Sequence, residues 1–147
     1  MPPEQPATRL PSHERRASIL DAAALIFVRD GFAGTTTRSL AEACGVAEPV
    51  LYRHFPGKDD LFISVLDELL SRSIQDLESA TSRTERIQAM QAGLEAILLA
   101  DATPKCQAAV EVVQRHRTSF EGAIGPDGPQ ILARELGDLV LRRLTRD

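Results

Sequence analysis

The chain has 147 residues, a formal net charge of −4 and 43% hydrophobic residues, which fits one domain, or a small module fused to a modest second one, with enough apolar material for a core. It contains no run long and apolar enough to span a bilayer, and the opening MPPEQPATRLPS lacks the apolar stretch of a signal peptide, so a cytoplasmic protein with no membrane partner is predicted. Paired catalytic carboxylates, a nucleophile with its base, a phosphate-cradling loop and metal-spaced His or Cys clusters are all lacking, which speaks against an enzyme and predicts neither cofactor nor metal.

Residues 1–11 hold four prolines and read as a disordered arm. Ser12 is the predicted cap of a first helix, with Glu14 in its first turn to suit the helix dipole. Ile19, Ala23, Ile26 and Phe27 make one apolar stripe along it, Gly31 stops it after about Asp30, and Phe32 is expected to fold back into the same small core.

The stretch Thr35–Leu61, TTTRSLAEACGVAEPVLYRHFPGKDDL, predicts two short helices, a tight turn and the entry to a longer helix. Thr36 or Thr37 caps the first, whose Leu40, Ala41 and Cys44 share one face. Gly45 ends it, and Val46 plugs the space between the pair. Pro49 falls in the first turn of the second helix, where its missing N–H costs nothing. Leu51 and Phe55, four apart, face inward and leave Glu48, Pro49, Val50, Arg53 and His54 turned outward or lateral. A helix that presents its N-terminal residues while its rear packs on a preceding helix is how a helix-turn-helix enters the major groove.

From Lys58 to Leu77, the residues Leu61, Phe62, Val65, Leu66, Leu69, Leu70, Ile74 and Leu77 cover more than one face, so this helix is predicted to pack on two sides and to connect the head to the rest of the chain. Ser82 and Glu85 form a capping box, after which Ile87, Met90, Leu94, Ile97 and Leu98 recur at helical spacing. Thr103 and Pro104 are the predicted cap and first residue of the next helix, with Ala109, Val112 or Val113, His116 and Phe120 on its stripe. His116, flanked by Arg115 and Arg117, reads either as a satisfied core histidine or as a ligand contact. The candidate ligand set is His116, Arg117 and Phe120, suited to an anionic or hydrogen-bonding effector. GAIGPDGP, residues 122–129, is a loop. A last helix from about Pro129 to Thr145 presents Ile131, Leu132, Leu136, Leu139, Val140 and Leu144, a stripe wide enough to need a partner surface. Gly137 within it marks close approach of another helix or merely weakens this one. Cys44 reads as a small buried hydrophobe, and Cys106 as structural or redox-sensing.

Ile19, Ala22, Ala23, Phe27, Gly31, Thr36, Thr37, Leu40, Ala41, Gly45, Val46, Leu51, Tyr52, His54, Phe55, Lys58 and Leu61 stand in an order and spacing that resemble the TetR family of transcriptional regulators. The resemblance implies an all-α fold: a helix-turn-helix DNA-binding head over 12–57, joined by a long helix to a small helical ligand and dimerisation domain over 58–147. It implies phosphate contacts from Thr36, Thr37, Tyr52, His54 and Lys58 and base-edge contacts from Glu48, Pro49 and Val50, with Arg38 and Arg53 as flanking candidates. The chemistry agrees: Lys58 opens a helix where a phosphate is favoured. Pro49 and Val50 suit thymine methyls, and Glu48 can accept from a cytosine amino group. Arg9 reads as a brush against the DNA backbone or as plain solvated tail.

Two features depart from the family pattern. Ala47 stands where a Ser or Thr would cap the recognition helix, a loss of about 1 kcal/mol, and Glu48 sets a negative charge at the DNA surface. Residues 1–60 hold seven Lys or Arg against eight Asp or Glu, so attraction to DNA must come from local placement and two cooperating subunits. The family implies a homodimer, and Leu132, Leu136, Gly137, Leu139, Val140 and Leu144 are the expected interface. The usual two closing helices have room here for one, so either the interface is abbreviated or the sequence is a shortened version. The expected function is that of a repressor on a near-palindromic operator, released by a small-molecule effector. The alternative is a truncated partner that does not bind DNA and pairs with a full-length regulator.

Overall fold

The computed structural model describes residues 11–103 and 105–145, with the backbone alone at 143 and 144. Residues 1–10 of the expected arm, Arg9 among them, Pro104 and the side chain of Leu144 thus lie outside the described residues. These form seven helices and no strand: α1 (Ser12–Asp30), α2 (Thr37–Cys44), α3 (Glu48–His54), α4 (Lys58–Ser79), α5 (Arg83–Asp101), α6 (Gln107–Ile124) and α7 (Gly128–Leu144).

Helix α1 enters one residue earlier than its sequence predicts. Pro11 holds the cap position without a side-chain cap, Ser12 is the first helical residue, and Glu14 gives the free N–H groups a negative neighbour. Ile19, Leu20, Ala23, Ile26 and Phe27 are its buried face. Past Gly31 the chain turns back, and Phe32 packs at 4.8 Å from Phe62, which meets Phe27 edge-on at 5.0 Å. This aromatic knot joins α1 to the start of α4, each fully buried Phe contributing about 1.5–3 kcal/mol.

Helix α4 is the spine. It packs on α1 along one side and on α5 and α6 along another, as its two apolar faces require. Arg72 adds a surface tie from α4 to Asp21 of α1 at 3.2 Å and to its own Glu68 at 3.0 Å; all three are about half exposed, so the pair contributes little.

The capping box of α5 forms as expected, with the Ser82 hydroxyl accepting from the Glu85 N–H at 3.1 Å and the Glu85 carboxylate accepting from the Ser82 N–H at 3.2 Å. Leu94, Ile97 and Leu98 of its expected stripe are buried and Met90 packs beside them, but the first residue of the stripe is not covered. Ile87 is 40% exposed and borders a cleft with Leu77, Ile124 and Ile131. The buried seam includes the small residues Ala89, Gly93, Ala96 and Ala100. They let α5 close on α6: a Cβ on Gly93 would lie 2.3 Å from Cζ of Phe120.

Helix α6 begins at Gln107 with Cys106 in the cap position, not at Thr103 and Pro104. The Thr103 hydroxyl donates back to the Leu99 carbonyl at 2.9 Å; it finishes α5 and is not available to start α6. Helix α7 turns Leu132 fully inward, packs Ile131, Leu136 and Leu139 against the core, and leaves Val140 and Leu141 exposed.

Candidate nucleic-acid interface

The reading element is built by local hydrogen bonds that the sequence encodes at short range. Thr36 caps α2: its hydroxyl accepts from the Ser39 N–H at 3.0 Å, and Ser39 Oγ accepts from the Thr36 N–H at 3.1 Å. At the far end Gly45 adopts φ 70°, a left-handed conformation that favours glycine. The Val46 N–H then reaches the Ala41 carbonyl at 3.0 Å and the Gly45 N–H reaches Glu42 at 3.1 Å, the paired closure of a Schellman end. That closure sets the sharp turn into α3.

Helix α3 starts from Ala47 with no side-chain cap. Glu48 in the first turn offers its charge to the helix dipole instead. Leu51 and Phe55 are each 2% exposed and hold the helix down. Pro49, Tyr52 and Arg53 are turned to solvent, and Val50, His54 and Glu48 are half-buried at the flanks. This is the orientation in which N-terminal side chains of a recognition helix reach a groove.

The structure also makes ties that no local pattern announces. The Thr37 hydroxyl donates to Glu48 Oε1 at 3.1 Å across the turn. The two residues therefore brace the start of α2 against the start of α3, and the carboxylate is held in place by a partner. Lys58 Nζ donates to the carbonyls of Phe32 at 2.9 Å and Thr35 at 3.0 Å, and stands 4.1 Å above the Phe32 ring. Two of its three N–H donors are thus engaged within the head. Arg16 of α1 lies over the Phe55 ring at 4.8 Å, which brings a cation to the end of α3. Arg38 pairs with Glu42 at 3.4 Å, both exposed, whereas Arg53 has no ion pair among the described residues. Cys44 is half-buried, its Sγ directed to the Ile19 carbonyl at 3.7 Å, and burial pushes its thiol pKa up.

The suggested effector contacts are not gathered into a pocket. Phe120 is fully buried against Gly93. His116 Nε2 lies 2.6 Å from Asp67 Oδ1 of α4, and Arg115 is 3.7 Å from the same oxygen. Arg117 pairs with Glu121 along α6 at 3.6 Å. None of the three lines any of the four cavities described. The histidine takes the satisfied, structural arrangement, bridging α4 and α6.

The segment carrying this geometry, residues 19–65, matches the model of the bacterial regulatory proteins, tetR family. This segment is thus of the tetR family. The HTH-type transcriptional activator FasR of Mycolicibacterium smegmatis is 39% identical over 85 residues, covering 55% of this chain and 39% of FasR. The HTH-type transcriptional repressor KstR2 of the same organism is 36% identical over 100 residues, covering 65% of this chain and 46% of KstR2. The chain thus spans less than half the length of either relative. A solved structure of a protein from Pseudomonas aeruginosa PAO1 shares the fold with a TM-score of 0.59 at 20% identity, over 78% of this chain and 64% of that one. FasR and KstR2 are both transcriptional regulators.

Proposed function

We propose that the chain is a DNA-binding transcriptional regulator acting in the cytoplasm, a repressor that docks two copies of α3 in successive major grooves of a near-palindromic operator. The observation that carries this reading is the disposition of α3: Leu51 and Phe55 buried, with Pro49, Tyr52 and Arg53 free on the opposite side. In this reading Pro49 and Val50 meet base edges. Thr36, Tyr52, His54 and Arg53 hold phosphates, joined by Arg38 and Arg16. Glu48 stays on Thr37 and orients the recognition helix, and Lys58 has one N–H left for a phosphate.

The same reading pairs two chains through α7. Its inner stripe, centred on Leu132, is consumed by the chain's own core. The surface left for a partner is therefore the outer stripe of Gly137, Val140 and Leu141, at the i, i+3, i+4 spacing of one helix face. Open space surrounds Gly137, where an added Cβ would meet nothing within 4 Å, so another helix can approach closely. A small-molecule effector would act by favouring a conformation with the wrong head spacing.

The test is binding of the purified chain to the DNA upstream of its own gene, measured across salt concentrations, with the mass of the complex determined alongside. Salt-steep binding by two chains per site is expected. A monomer that leaves DNA free would overturn the reading in favour of a partner that pairs with a longer regulator.

A further inference from the structure

Where the tail of α4 and the start of α5 meet the end of α6 and the start of α7, the surface opens in a cleft of about 430 Å³. Leu77 and Ile124, both buried, and Met90 and Ile131, half-buried, give it apolar walls, and Ile87 stands 40% exposed at its edge. The cleft is remote from the head: Lys58 and Leu77 sit near opposite ends of α4, about 30 Å apart along the helix.

The charge around it is of one sign. Arg83 and Arg86 both line the cleft and are exposed, and no carboxylate is among the lining residues. Arg86 donates through Nη2 to the Ile124 carbonyl at 2.6 Å, which fixes its guanidinium at the end of α6 and leaves further N–H donors over. Arg83 has no ion pair among the described residues. The acid closest to them in sequence, Glu85, is committed to the Thr81 and Ser82 N–H groups and the Thr81 hydroxyl. Apolar walls under an unneutralised cationic edge suit a polypeptide whose apolar side chains are flanked by carboxylates.

A second copy of this chain does not supply that chemistry. Outside the cleft its large exposed apolar residues are Leu25, Val28, Tyr52, Val140 and Leu141, and Arg29, Arg53 and Arg142 directly follow Val28, Tyr52 and Leu141. A small anion gains little either, because each arginine faces water and a single exposed ion pair is weak; a segment with several carboxylates adds such contacts to the burial of its apolar side chains. We propose that this cleft docks an acidic, apolar segment of a different protein. The dock includes Ile131 of α7 and leaves out Gly137, Val140 and Leu141, so it is distinct from the stripe assigned to pairing. Carrying that partner while on DNA rests on the DNA-binding reading; the docking does not.

The probes are three fluorescein-labelled peptides: EELLEWLEE, its basic counterpart KKLLKWLKK and the polar EEQQEQQEE. Titrated with the full chain without DNA and followed by anisotropy, the first is expected to saturate one site per chain and to bind about tenfold tighter than either of the others. Its affinity falls as salt rises, and its unlabelled form shifts the amide NMR signals of Ile87, Met90 and Ile131. Arg83→Glu weakens it about tenfold or more. Arg83 is the first residue of α5, where a carboxylate suits the helix dipole, so the fold survives that change. Ile87→Gln, which removes apolar contact, weakens it about tenfold, whereas Lys105→Glu, the same charge change beyond the other end of α5, leaves it unchanged. Absence of saturable binding, equal binding of the basic or polar peptide, unmoved amides, or full affinity in Arg83→Glu would each overturn the dock. Decanoate that shifts the three amides while the peptide shifts none would give the cleft to a small amphipathic anion, and self-association abolished by Ile87→Gln would give it to a second copy; either overturns the proposal. With DNA present the peptide affinity is expected to hold, and displacement of the peptide by DNA would overturn simultaneous carriage alone. If the chain takes the peptide but binds no DNA, it is the regulator reading that fails and the dock stands.

Discussion

Replacing Lys58 with methionine separates two roles for one ammonium group. Methionine keeps the apolar stem but removes the hydrogen bonds to Phe32 and Thr35 and the contact over the Phe32 ring. A hydrogen bond from a charged donor contributes about 1.5–3 kcal/mol where water is excluded, and the ring contact roughly 0.5–1 kcal/mol. Lys58 is only half-buried, so water recovers part of the carbonyl bonding, and the expected loss is about 2 kcal/mol. Urea unfolding followed by circular dichroism measures it as a lowered midpoint with unchanged slope. If the ammonium serves mainly to hold the head together, the salt dependence of DNA binding stays close to that of the parent. An ammonium that mainly neutralises a phosphate gives a different pair of results: stability within about 0.5 kcal/mol of the parent and a salt slope smaller by about 0.9. That pair would refute the anchoring role.

Gly93→Ala is expected to destabilise the fold by about 1–3 kcal/mol by overpacking against Phe120, although alanine favours a helix by about 1 kcal/mol. Phe120→Leu in the same chain should return part of the loss, and a Gly93→Ala protein as stable as the parent in thermal unfolding would contradict the packed seam. Glu48→Gln keeps an acceptor for Thr37 while removing a charge, so DNA affinity should rise across all sequences while stability falls by about 0.3–1 kcal/mol as the helix dipole loses its partner; Tyr52→Phe should instead weaken binding by about 1 kcal/mol regardless of sequence. Leu141→Asp should dissociate the proposed α7 dimer, read by light scattering, without lowering the monomer's stability, because Leu141 is 60% exposed within the chain. The Glu85 carboxyl is held below its ordinary pKa, chiefly by the Thr81 N–H and then by the Thr81 hydroxyl. A depressed acid stabilises above its unfolded pKa and loses that contribution as pH falls through its folded value. Amide exchange at Thr81 and Ser82 should accordingly show the start of α5 loosening in acid, and Glu85→Gln should flatten that acid limb.

Much of the head is legible in the sequence because its signals are local. Thr36 with Ser39, Gly45 with Val46, and Leu51 with Phe55 act within five residues of one another, so side-chain chemistry and helical period suffice to place caps, turn and buried face. The two-sided packing of α4 is legible for the same reason, since an apolar stripe on two faces has to be covered twice. Contacts between distant segments are decided by the tertiary structure alone. Nothing near Lys58 in sequence shows that its ammonium will meet the carbonyls of Phe32 and Thr35, and nothing near Glu48 shows a bond from Thr37. Ser12 and Thr103 both suit a cap because either hydroxyl could serve; the chain path gives the first position to Pro11 and turns the second hydroxyl back on Leu99. The apolar pattern of α5 finds the buried Leu94, Ile97 and Leu98 but not the part played by Gly93 and its alanine neighbours, because the distance between two helices is set by the smallest side chains at the crossing. On α7 periodicity identifies an apolar helix but not which stripe the core will use. Leu132 goes inward, and Val140 and Leu141 stay outside, because only one stripe of α7 can lie on α5 and α6.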